Sequence, residues 1–154
     1  MRTLACALAL AVAAVSAPAL AQDYNGAPNF GEFRLSPGFT PDPALIYMRA
    51  GGDMNASNLN SACRGWITRQ PDIRLYWDGN GSLPLKISAL SKSDTTLVVN
   101  GPNGEWYCDD DGGEDNNPSV QLNPTAGRYE IWVGTYSSGN SQQAVVSISE
   151  LVSF

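Results

Sequence analysis

The chain has 154 residues, a formal net charge of −6 from nine Lys and Arg against fifteen Asp and Glu, and no histidine. Its few, unclustered cations argue against nucleic acid and anionic membrane as partners. The missing histidine removes Ser-His-Asp and Cys-His mechanisms, the usual zinc ligands and the commonest general base.

Taken in order, Arg2 precedes an apolar run from Leu4 to Val15, then Pro18 and the small-residue triplet Ala19, Leu20, Ala21. This is the pattern of a secretory signal peptide over residues 1–21, cut before Gln22. The run is shorter than the roughly 20 residues that a membrane span needs, and no later stretch is long enough. Cys6 as a lipoprotein anchor is the rival reading, but it has almost no apolar segment ahead of it. The expected product is periplasmic or secreted, with no membrane span. Cys6 leaves with the signal peptide, so Cys63 and Cys108 remain, and in an oxidising compartment a disulfide between them is the simple reading; two free thiols are the other. Such a bridge stabilises a domain of this size by about 4 kcal/mol in the chain-entropy model.

Residues 22–43 are rich in Pro, Gly and Asn, with a rigid turn expected at Pro41-Asp42-Pro43. Phe30, Phe33, Leu35 and Phe39 are too apolar for a disordered leader, so the segment reads as an N-terminal arm packed on the domain as an extended strand. From residue 44 to 154 apolar residues alternate at period two between Gly, Pro, Asn and Asp clusters. Strands are expected at 44–50, 66–68, 73–77, 83–90, 95–100, 106–108, 119–122, 128–136 and 143–151. The inward face comprises Leu83, Leu85, Ile87 and Ala89, then Leu97 and Val99, then Tyr129, Ile131 and Val133, then Ala144, Val146 and Ile148. Val145, Ser147 and Ser149 fall on the opposite side. The one helical turn expected is at 54–60, capped by Asp53. The fold class is all-β, a sandwich or barrel.

The order PDIRLYW, SLPLKISAL, SDTTLVVNGPNGEWYCDDDGG, NPSVQLNPTAGRYEIWVGTY resembles the bacterial pre-peptidase C-terminal domain over Pro71 to Glu150, about half of the chain. Its most specific parts are Asp94-Thr95-Thr96-Leu97 leading into Pro102-Asn103-Gly104, the Asp109-Asp110-Asp111-Gly112 turn, and Ala126-Gly127-Arg128-Tyr129. The resemblance implies a jelly-roll-like antiparallel β-sandwich and a non-catalytic accessory module, related to clostridial collagen-binding domains, of which several bind calcium. The cysteine pair and the N-terminal arm lie outside the common pattern.

Asp109, Asp110, Asp111, Glu114, Asp115, Asn116 and Asn117 supply side-chain oxygens within a short length of chain, and calcium takes six to eight oxygens. Gly112 and Gly113 let that chain fold back. The spacing is not that of an EF-hand, and composition alone reads equally well as a solvated acidic hairpin that aids solubility. With the resemblance added, calcium is the expected cofactor, with Asp94, Asp109, Asp110 and Asp111 as the metal site and Asp94 near the acidic turn.

Strand alternation puts Trp132 and Tyr136 opposite Ile131 and Val133, where they either face a ligand or underlie a second layer such as the arm. Trp77 belongs to the core. Paired carboxylates could serve glycoside hydrolysis, but nothing separates such a pair from the acidic loop. The expected function is an exported, non-catalytic, calcium-binding module for adhesion or for binding a protein or polysaccharide ligand. Two other readings stand beside it. One is a matrix or fibre component that self-associates by strand addition through the arm. The other is an accessory protease subunit or a small carboxylate-dependent hydrolase.

Overall fold

A computed structural model describes residues 22–154; the signal-peptide reading falls on residues outside that range. The strands are β1 Glu32–Leu35, β2 Ala44–Ala50, β3 Met54–Asn55, β4 Trp66–Ile67, β5 Ile73–Trp77, β6 Leu85–Ser91, β7 Thr95–Asn100, β8 Trp106–Asp109, β9 Ser119–Leu122, β10 Gly127–Thr135 and β11 Gln142–Ser149. They form a seven-stranded sheet with β10 at its centre, flanked by β5 and β1 on one side and β7 and β8 on the other, with β4 and β3 continuing from the end of β10. The four-stranded sheet runs β2-β11-β6-β9. The protein is an all-β sandwich, antiparallel except where the arm strand β1 lies parallel to β5.

The period-two pattern builds the layer between the sheets. Ile148 lies opposite Ile87 and Val146 opposite Ala89 in one sheet, and Ile131 opposite Val99 and Val133 opposite Leu97 in the other. With Ile73, Leu75, Trp77, Leu85 and Tyr129 these form one buried cluster. Each large side chain removed from water contributes about 1.5–3 kcal/mol before entropy is counted.

Three expectations need correction. Leu83 is 45% exposed, because β6 begins only after Pro84, which has no N–H for the ladder. The strand predicted over 106–108 and the acidic stretch after it do not form a hairpin: β8 and β9 lie in different sheets, so residues 110–118 are an inter-sheet crossing. Residues 54–60 hold the short strand β3 and a single 3-10 turn, Ala56–Asn58, capped by Asn55 rather than Asp53. Ser147 and Ser149 do face away from the core yet are buried. The C-terminal segment crosses that face: Lys86 Nζ donates to Leu151 O at 3.0 Å, Phe154 N to Ser88 Oγ at 3.3 Å, and the Ser119 and Ser153 hydroxyls bond each other.

The first part of the arm, around Tyr24 and Gly26, lies over the outer face of the seven-stranded sheet, while Phe30, Phe33, Leu35 and Phe39 pack on the core between the sheets. The arm's backbone is tied by Asp23 N to Arg69 O, Asn29 N to Pro71 O and Phe30 N to Asp72 O. Beneath it lies Arg74, whose Nε donates to Glu130 Oε1 at 2.7 Å, Nη1 to Glu32 and Nη2 to the carbonyls of Tyr24 and Gly26. A second cation, Arg128, reaches the same Glu130 oxygen at 2.9 Å. Between β5 and β4 the edge of β10 has a gap at Val133, whose backbone groups need partners. Asp72 Oδ2 accepts from Val133 N at 2.8 Å, and Gly51 N donates to Val133 O at 2.9 Å. Asp72 Oδ1 also accepts from Asn29 Nδ2 at 2.8 Å and Thr68 Oγ1 at 3.1 Å, joining arm, gap and sheet through one carboxylate.

Candidate functional site

The acidic crossing begins at Asp109, the last residue of β8, one position after Cys108. Cys63 and Cys108 are bridged, with Cα atoms 5.1 Å apart, so the start of the crossing is tied to the loop before β4. Asp109 Oδ2 accepts from Gly112 N at 2.8 Å and from Ser119 N at 2.7 Å, which closes the turn on itself and joins its two ends. Gly113 lies so close to the C-terminus that a Cβ there would stand 2.5 Å from Phe154 O and 2.8 Å from Asn117 O. Only glycine permits that approach.

Asn117 decides where the crossing sits. It is buried, and its Oδ1 accepts from Ser91 N and Thr95 Oγ1, both at 2.9 Å, while its Nδ2 donates to Ser91 O at 3.1 Å. These bonds fasten the acidic crossing to the β6–β7 turn, which carries Asp94. The Asp94 carboxyl is accordingly pushed above its ordinary value, first by burial and then by the charges of Asp111 and Asp110. Its Oδ1 is enclosed and has no hydrogen-bond partner.

Asp94, Asp110 and Asp111 are therefore electrostatic neighbours, while Asp109 Oδ2 is engaged in backbone bonds. Among the described residues, no three acidic, cysteine or histidine side chains converge as a ready-made metal cage. The donors available are all hard carboxylate and amide oxygens, the type that calcium takes. Asn117, which sequence reasoning counted with the loop's oxygen donors, instead uses its side chain to anchor the loop. An Asn-Pro pair closing an acidic run is a weak sign of such an anchor, and its partners on β6 and β7 cannot be read from spacing.

Trp132 does not face a ligand. It is fully buried, with Trp106 at 5.9 Å and Tyr24 of the arm at 6.1 Å between ring centroids. It belongs to a second apolar cluster with Ile67, Val98 and Cys63, the second-layer arrangement weighed as the alternative. Tyr136 is half exposed, at 50%. Trp77 is in the core, edge-on to Phe39 of the arm. In the described residues no helix is long and apolar enough to cross a membrane.

The chain is similar to the pre-peptidase C-terminal domain of a collagenase from Bacillus anthracis at 14% identity and a TM-score of 0.48, covering 81% of this chain and 100% of that one. It is also similar to PliG of Aeromonas hydrophila, a periplasmic inhibitor of g-type lysozyme, at 14% identity and a TM-score of 0.43, covering 77% of this chain and 97% of that one. The first bears the family name that the sequence motifs suggest. No family model and no curated protein matches the chain.

Proposed function

We propose that this chain is an exported, non-catalytic β-sandwich binding module, periplasmic or secreted, whose acidic crossing takes a calcium ion with Asp94, Asp110 and Asp111. The observation that carries the reading is the enclosed, unpartnered Asp94 Oδ1 held next to two further carboxylates. A buried acceptor without a donor costs free energy, and like charges around it add to that cost. A bound divalent cation would supply the positive charge that offsets both. The chain's own contribution is positional. Asn117 holds the crossing against the β6–β7 turn, Asp109 closes it, and the Cys63–Cys108 bridge anchors its start. Backbone carbonyls of the glycine-containing turn and water would complete the coordination. The signal-peptide pattern and the disulfide support export. The arm strand pairs with β5 of its own chain, so strand exchange through the arm gains no support from the fold.

Calorimetric titration of the calcium-loaded and chelator-treated protein tests this. Wild type is expected to bind one ion exothermically or endothermically with a defined stoichiometry, and the Asp94→Asn, Asp110→Asn double variant to give only heats of dilution. A flat wild-type titration overturns the reading.

A further inference from the structure

A second feature of the seven-stranded sheet is independent of the acidic crossing. Strand register puts Arg34 of β1 beside Tyr76 of β5 and Arg128 of β10 on its other side. The alternate residues Phe33, Leu35, Leu75, Trp77 and Tyr129 belong to or pack on the core, so the three share one row on the outer face. Adjacent strands are about 4.8 Å apart, which spaces the two arginine Cα atoms by about 10 Å. The Arg34 guanidinium lies over the Tyr76 ring, 4.2 Å from its centroid. A guanidinium held over a ring in this way keeps its N–H groups available for another partner.

The next row, Glu32, Arg74 and Glu130, is ion-paired through Arg74, and Arg128 leans on Glu130 through Nε and donates from Nη2 to Asn25. Among the described residues the ion pairs of this face use Arg74 and Arg128, and Arg34 has none. Arg34, Tyr76, Asp78, Gly127 and Arg128 line a cleft of about 400 Å³, within the range that holds a small ligand. At its rim Gly127, with φ +147°, lets the strand pass under Pro102, where a Cβ would come within 2.4 Å.

We infer that this cleft binds an acidic sugar unit of a polysaccharide. Arg34, held flat by Tyr76, takes the carboxylate in a two-point hydrogen bond, and Arg128 adds charge from the far side. Asp78, exposed at the same cleft, repels dense anions such as sulfate clusters but accepts hydrogen bonds from hydroxyl groups. One carboxylate among several hydroxyls satisfies both, and that is a uronate. The inference rests on reading the chain as a binding module, but not on the calcium ion.

The test is titration of trigalacturonate into the full exported chain, with maltotriose as the neutral control and triglutamate as the acidic-peptide control. Wild type is expected to bind trigalacturonate alone. Arg34→Lys keeps the charge but loses the fork, and is expected to weaken binding at least tenfold. Arg34→Ala is expected to abolish it, and Lys92→Ala, a cation remote from the row, to leave it unchanged. Unaltered melting temperature and calcium response in each variant establish that the fold is intact. No binding by wild type, equal binding by Arg34→Lys, or equal binding of triglutamate overturns the inference. Because the calcium response is read separately, such a failure is distinguishable from failure of the calcium reading.

Discussion

Asp72 shows how much one buried side chain does here. Burial pushes its carboxyl up to about 6, against hydrogen bonds from Asn29, Val133 and Thr68 that pull the other way. Because the folded value lies above the unfolded one, its favourable linkage is present at low pH and is lost as pH rises through about 6. Wild type is therefore expected to gain about 2 kcal/mol relative to Asp72→Asn between pH 7 and pH 4, read from urea unfolding at both. Asp72→Ala leaves the Val133 N–H and the Asn29 amide without their acceptor, at about 1–3 kcal/mol for each buried group. Arg74 is the second such position. Glu130 is almost wholly buried and shared between Arg74 and Arg128. Arg74→Met is expected to cost up to about 3–5 kcal/mol, because it leaves the buried Glu130 with the partly exposed Arg128 as its ion-pair partner, and a parallel Arg34→Met to cost far less.

Among the elements, strand positions were legible because one face of each strand is apolar and turn residues separate them. β2, β5, β7 and β9 have the bounds that alternation predicts. What lies over an outer face is not written in that alternation. Trp132 sits opposite Ile131 and Val133 as expected, but its cover, Tyr24, comes from a segment more than a hundred residues away. For the same reason period two could not foretell the buried Ser147, the gap at Val133 or the fastening of Asn117 to Ser91. The arm is accordingly part of the fold. Deleting residues 22–31 uncovers Trp132 and removes acceptors from Arg74, and is expected to red-shift tryptophan emission and lower the melting temperature. Emission that does not move would mean that the arm covers nothing. Replacing Cys63 and Cys108 by alanine is expected to cost about 2–4 kcal/mol in denaturant unfolding, the usual range for a bridge.

For the molecule as a whole, the sandwich holds several loops in fixed relation, and the acidic crossing is where that rigidity brings like charges together. Of the candidate site, the acidic run was legible from composition, and the nearness of Asp94 from family likeness. Its mechanism was not, because Asn117 reaches two strands distant in the chain. The arrangement makes a prediction with opposite signs in two solutions. In chelator, Asp94 is one charge too many beside Asp110 and Asp111; under the proposed function, calcium makes it a ligand. Thermal unfolding of wild type and Asp94→Asn, each with chelator and with saturating calcium, tests this most directly. The variant is expected to melt higher than wild type in chelator, and calcium to raise the melting temperature of wild type only. Equal calcium shifts in both proteins, or none in either, would contradict this.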